Sequence, residues 1–164
     1  MPSKPNAYLR PLLALSLGAL LLAGCKTNAP ASAPSGLPEV QMQIGKLTYN
    51  LEVAATPDTL EYGLMRRDSM PEDHGMIFVF ADERPLTFWM KDTRIPLFIL
   101  FLDHTGKVVS AAHMKPYETV HTTPSGYPAQ YAIELNDDAD QNSGVKVGDA
   151  LKIPAAATQP IENK

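Results

Sequence analysis

The sequence predicts a mainly β domain, a sandwich or small barrel with one short helix. Two observations carry this reading. Seven prolines, Pro57, Pro71, Pro85, Pro96, Pro116, Pro124 and Pro128, with Gly45, Gly75, Gly106 and Gly126, divide the central chain into short pieces. Most of those pieces are rich in β-branched, aromatic and alternating apolar residues, the pattern of short strands separated by turns.

In order, strands are expected at residues 40–44, 47–54, 76–80, 86–93, 97–103, 107–114, 130–136 and 150–153. The helix is expected between the second and third of these. Thr56 is a good N-cap, Pro57 suits the first helical position, and Asp58 and Glu61 favour the positive helix end. Leu60 and Leu64 then share a face. Residues 137–144 are expected to add a short second helical turn.

The 164 residues allow one ordinary domain, and hydrophobic residues at 45% with charged residues at 20% match globular usage. The expected organisation is a leader over residues 1–24, an Ala/Pro/Ser-rich tether over 25–38, a single β-rich domain over 39–154 and a flexible tail over 155–164. Lys+Arg total 14 against 18 acidic residues, a net charge of −4. A nucleic-acid partner is disfavoured, because no basic stripe exists to grip phosphates.

The leader has recognisable chemistry. Lys4 and Arg10 supply a positive start, and a short apolar run over residues 12–22 suits a secretory signal better than a membrane span. Leu22-Ala23-Gly24-Cys25 then resembles the bacterial lipoprotein box, which implies cleavage before Cys25 and diacylglyceryl attachment to its sulfur. Two or more acyl chains anchor stably where one does not. The membrane, through acylated Cys25, is thus an expected partner, with the domain facing the periplasm of a bacterial envelope. Lys26 stands where an aspartate would imply inner-membrane retention, which points to the outer membrane. Loss of Lys4 and Arg10 lowers the mature charge by two, to −6. Cys25 is the only cysteine, so the folded domain has no disulfide, thiol nucleophile or Cys-ligated metal.

Six strings occur in order along the chain: Gly63-Leu64-Met65-Arg66-Arg67, Gly75-Met76-Ile77-Phe78-Val79-Phe80, Phe88-Trp89-Met90-Lys91-Asp92-Thr93, Ile95-Pro96-Leu97, Glu134-Leu135-Asn136 and Val147-Gly148-Asp149. Together they resemble the family known as domain of unknown function 192, from about Leu51 to Ile153. The resemblance implies a compact, mainly β, jelly-roll-like domain, often secreted or lipid-anchored, and no established activity. The family usually has Asn where this chain has Asp92, and Asp where it has Phe98, so a role resting on that second carboxylate does not transfer. Many members also carry cysteines in the region of residues 116–124, where this chain has none.

Candidate site residues each admit two readings. Alternation in a strand over 86–93 places Trp89 and Lys91 on one face, where they would stack and hydrogen-bond a sugar; equally, Trp89 closes the core with the Lys91 stem over it. Arg67 would bind an anionic ligand bidentately, or clamp the loop over residues 66–74 through Glu134 or another acid. Glu134, in an apolar strand, is either paired or a raised-pKa acid–base candidate. Glu52 shares that ambiguity.

No complete catalytic constellation is present. The four histidines, His74, His104, His113 and His121, lack metal-ligand spacing, and no Gly-x-Ser-x-Gly, phosphate loop or dinucleotide fingerprint occurs. Met42, Met65, Met70, Met76, Met90 and Met114 are scattered like core fillers rather than a copper set. No metal or cofactor is implied. The leading expectation is a lipid-anchored, non-catalytic binding module for a small envelope ligand such as a glycan fragment. The alternative is an envelope-carbohydrate hydrolase or lyase pairing Glu134 with Glu52, Asp92 or Asp103.

Overall fold

The computed structural model describes Met1 and residues 36–158. The leader, Cys25, most of the tether and residues 159–164 lie outside the described residues.

The domain is mainly β. Strands β1 (Glu39–Ile44), β2 (Leu47–Ala54), β3 (His74–Phe88), β4 (Leu97–Leu102), β5 (Val108–Met114) and β6 (Thr123–Asn136) form one sheet in the order β1-β2-β3-β6-β4-β5. All neighbours are antiparallel except β2 and β3, which run parallel across a connection containing α1 (Pro57–Tyr62). The outermost strands β1 and β5 do not pair, so the sheet is not closed into a barrel, and the architecture is sandwich-like. A second short helix, α2 (Ala139–Ser143), occupies the expected place after β6.

Local chemistry explains the helix. Thr59 N–H donates to Thr56 Oγ1 while Thr56 N–H donates to Thr59 Oγ1, a reciprocal cap over Pro57. Gly63 ends the helix at a positive φ of 51°. None of the helix residues is fully buried; Leu64, just beyond it, is the residue that packs inward.

Two apolar layers sandwich the sheet. On one face Met42, Ile44, Leu51, Val53, Ile77, Leu100, Ile133 and Leu135 form the larger core, closed by Val145 and Leu151. On the other, Met76, Phe78, Leu86, Ile99, Phe101 and Ala132 meet Leu64, Met90 and Ile95 from the covering loops. The run Leu97-Phe98-Ile99-Leu100-Phe101-Leu102 is buried throughout, as a strand covered on both faces requires.

Several expected boundaries move. Residues 76–80 and 86–88 belong to one long strand, β3, which ends at Phe88; residues 89–93 turn instead of continuing the strand. Pro85, Pro124 and Pro128, expected at turns, lie inside β3 and β6, where Pro85 faces Pro128 beside register shifts. Prolines are accommodated at such irregularities because no ladder donor is demanded of them there. Residues 150–153 make only an isolated bridge, Lys107 with Ala150. The fold also continues past Pro154, where Ala155–Ala157 make a 3-10 turn with Ala157 buried in the larger core.

Candidate functional site

The candidate site lies on the second face of the sheet. Register places Glu52 beside Met76, Met76 beside Glu134, and Glu134 beside Ile99, so the two glutamates flank one methionine in a single cross-sheet row. Glu52 is 1% exposed and Glu134 5%. A buried carboxylate is costly unless paired or protonated, and the chain uses both remedies.

Glu52 is paired. Arg67 Nη1 donates to its Oε1 at 2.5 Å and Nη2 to its Oε2 at 2.7 Å, a fork-to-fork contact that clamps the loop after α1 onto the sheet. The loop clamp expected of Arg67 is therefore realised through Glu52 rather than Glu134. Asn136 holds the same loop by donating to the carbonyls of Met70 and Pro71.

Burial favours the protonated form of Glu134. Burial pushes its pKa up to about 8, with the nearby Arg67 charge pulling the other way. At neutral pH it is therefore an uncharged acid with one O–H to donate. It lines a narrow slot of about 30 Å³ with Gly63, Leu64, Phe78, Phe88 and Trp89. A water needs about 10–15 Å³ of such space, so the slot admits one or two small polar groups and not a ring. Phe88 stiffens the wall, meeting Phe78 and Phe101 edge-on with ring centroids 5.0 and 5.6 Å apart.

Two loops meet beside the slot, to which they contribute Met65 and Thr93. Arg66 and Asp92 are both in the left-handed region, with φ of 62° and 52°, and Arg66 N–H donates to the Asp92 carbonyl at 2.8 Å. Asn and Asp tolerate this conformation best among side-chain-bearing residues, which rationalises Asp at this turn. The turn breaks strand alternation, yet it still brings Trp89 and Lys91 together: Lys91 Nζ lies 5.0 Å from the Trp89 ring centroid. Trp89 is 43% exposed, so it does not close the core as a buried tryptophan would. On its other side lies an open groove of about 270 Å³ lined by Met90, His113, Glu118, His121 and Thr123. His113 is held between Asp137 at 2.8 Å and Asp140 at 3.5 Å; its hydrogen bond to Asp137 raises its pKa against the effect of burial.

A family model matches residues 40–153, that of DUF192, described as Uncharacterized ACR. The chain belongs to the DUF192 family. Two solved structures resemble this DUF192 domain. A proposed transcription regulator from Sinorhizobium meliloti 1021 shares 34% identity, with a TM-score of 0.64, over 70% of this chain and 91% of its own. A protein of unknown function from Novosphingobium aromaticivorans DSM 12444 shares 31% identity, with a TM-score of 0.69, over 77% and 94% respectively. Among curated proteins, none matches this chain.

Against this frame, the structure gathers Glu134 and Trp89 around one DUF192 slot, with Arg67 acting beside it through Glu52 and Lys91 stacked outside. Asp92 lies next to Thr93, which lines the slot, with its own side chain half-exposed and 3.8 Å from Arg66. Asp103 is remote in role: its carboxylate accepts from the Thr105 and Lys107 backbones and the Thr105 hydroxyl in the turn between β4 and β5. Sequence reasoning missed the Arg66–Asp92 staple and the phenylalanine wall, and it reads Gly75 as a turn signal where the residue lies inside β3. The glycine is signalled only by its place beside Met76; a Cβ there would fall 2.5 Å from the Glu134 carbonyl.

Proposed function

We propose that this DUF192 protein is a lipid-anchored envelope domain that binds a small neutral ligand without transforming it. One observation carries the binding reading: Arg67 occupies both oxygens of Glu52, leaving Glu134 as a lone neutral acid in the slot. A hydrolase of the two-carboxylate kind needs a second acid free to act across a cleft. Here Glu52 is committed to Arg67 and Asp103 to its turn, and Asp92 is half-exposed beside Arg66 and lines neither the slot nor the groove. A neutral acid instead donates one hydrogen bond, which suits a hydroxyl or carbonyl oxygen. Trp89, 43% exposed beside the slot, offers aromatic surface against which a sugar ring would pack. The groove of about 270 Å³ has room for a fragment-sized ligand, below the 300–1,000 Å³ usual for drug-sized ones.

Anchoring rests on the leader and Cys25. A role in transcription regulation, the description given to the Sinorhizobium relative, finds no support in a chain with an acidic balance and no basic stripe.

A thermal-shift screen of the full chain in detergent against neutral envelope glycan fragments tests the binding reading, with Glu134→Gln and Trp89→Ala alongside. A stabilising fragment whose effect both variants abolish supports it; turnover of the fragment, or a shift that survives both substitutions, overturns it. Mass spectrometry of the native product tests the anchor, which fails if the Cys25 sulfur is unmodified or the leader persists.

A further inference from the structure

The described residues also form an opening away from the Glu134 slot. It is a groove of about 690 Å³ between β1 and the segment after α2, lined by Gln41, Met42 and Gln43 on one side and by Ala150, Leu151 and Pro154 on the other. β1 is an edge strand, paired only with β2. Val53 N–H donates to the Pro38 carbonyl at 2.8 Å, which fixes the phase of that ladder. Antiparallel pairs alternate between bonded and non-bonded; counting from Pro38 and Val53, the residues bonded to β2 are Val40, Met42 and Ile44. The backbone N–H and C=O groups of Glu39, Gln41 and Gln43 therefore point away from β2. Asn50 agrees from the other side, since its N–H is spent on Asp73 and not on β1. Among the described residues nothing pairs with those outward groups of β1.

An unpaired row of donors and acceptors repeating every second residue matches one kind of partner, an extended polypeptide backbone. Edge strands are ordinarily blunted by lysine, proline or a bulge. β1 has an uninterrupted register with β2 and neither lysine nor proline within it. The wall at residues 150–154 decides which extended segment fits. A second copy carries the same segment beside its own β1, so two copies paired edge to edge would each have to accommodate the other's segment in the groove. A free strand carries no wall and enters the groove alone.

We infer that the β1 edge is a docking site for an extended segment of a partner protein, added as a seventh strand. One face of that segment would rest near Met42 and Leu151, which are buried and apolar, so its apolar residues should alternate. The other face would lie beside Glu39, Gln41 and Gln43, all exposed, of which only Glu39 is charged, so an acidic residue opposite Glu39 is disfavoured.

Hydrogen exchange on the full chain in detergent tests this. The probes are capped peptides of about seven residues, within the common strand length, alternating threonine with valine, leucine or phenylalanine, and twins N-methylated at alternate amides in either phase. The expected result is that at least one parent peptide slows exchange at the Gln41 and Gln43 amides by about tenfold or more, while its twins do not. Gln41→Pro removes one outward donor without touching the β2 ladder and should abolish the protection; Gln41→Ala, which keeps the backbone, should retain it. Should Gln41→Pro fail to fold, the methylated twins still decide the matter. Three outcomes overturn the inference: no parent peptide protects these amides, protein concentration alone protects them, or truncation after Thr158 exposes them further in the absence of peptide. The last two would assign the edge to a second copy or to the chain's own tail.

Discussion

Arg67 and Glu52 meet fork to fork, 2.5 and 2.7 Å apart, although 15 residues and a helix separate them in the chain. The guanidinium is 11% exposed and the carboxylate 2%, so water screens neither. Removing one partner would strand a buried charge, whereas removing both leaves an apolar site that neighbouring side chains can fill. Arg67→Ala is expected to cost about 3–5 kcal/mol. The double variant Arg67→Met with Glu52→Leu should recover most of that loss. Urea unfolding of the three proteins measures it, and equal losses in single and double variants would refute the pairing as a stability element.

Glu134 should give the protein a pH dependence opposite to that of an ordinary paired carboxylate. Its pKa rises from an ordinary 4.5 to about 8 on folding, chiefly through burial. Between those values the folded state holds a proton that the unfolded chain has released. Stability therefore falls as pH rises through that window, at a rate approaching about 1.4 kcal/mol per pH unit from this group. Below the unfolded value the group contributes no slope. Glu134→Gln cannot ionise, so its advantage over the parent should grow from pH 5 to 8 and then level off. Unfolding free energies of both proteins measured across this range check the sign; a constant difference would mean that Glu134 is ionised when folded.

The close approach of β3 to β6 makes this arrangement possible. A Cβ on Gly75 would lie 2.5 Å from the Glu134 carbonyl oxygen, 2.6 Å from Leu135 Cδ2 and 3.0 Å from Leu51 Cδ2. Two of these neighbours are side-chain ends, but the first is backbone and cannot rotate away. Gly75→Ala is expected to destabilise the domain by about 1–3 kcal/mol through overpacking. It should also displace Glu134 and shift the pH window described above. An alanine variant with the parent's stability and pH profile would show that the strands separate without cost.

How much of this was legible beforehand differs by residue. The burial of residues 97–102 on both faces was readable as an unbroken apolar run, and Thr56 with Pro57 announced the helix start. The end of β3 at Phe88 was not, because residues 86–93 alternate as well as any strand; only Asp92, tolerant of a left-handed backbone, hinted at the turn. Pro85, Pro124 and Pro128 misled because proline signals a turn and a strand irregularity alike. That Glu52 and Glu134 share a row depends on β2 and β3 running parallel, with β6 returning beside them. No local pattern encodes this, since it follows from which strands pair. Arg67 was recognisable as a clamp, but its choice of acid was settled by that same topology.

Trp89 separates the binding reading from a packing one. Its ring is 43% exposed and carries Lys91 Nζ at 5.0 Å, whereas Phe78 behind it is 1% exposed. An exposed ring with a cation over it contributes about 0.5–1 kcal/mol from that contact, while truncating a buried aromatic costs about 3–5 kcal/mol. Trp89→Ala should therefore lower stability by no more than about 2 kcal/mol, well short of Phe78→Ala. Lys91→Ala should have a smaller effect, because it leaves the ring face in place. Both variants should weaken the response to a stabilising glycan fragment, Trp89→Ala more severely. Calorimetric unfolding with and without the fragment checks both. A Trp89→Ala loss as large as that of Phe78→Ala, with no fragment shifting the parent, would make Trp89 a core residue and leave the slot without its ligand platform.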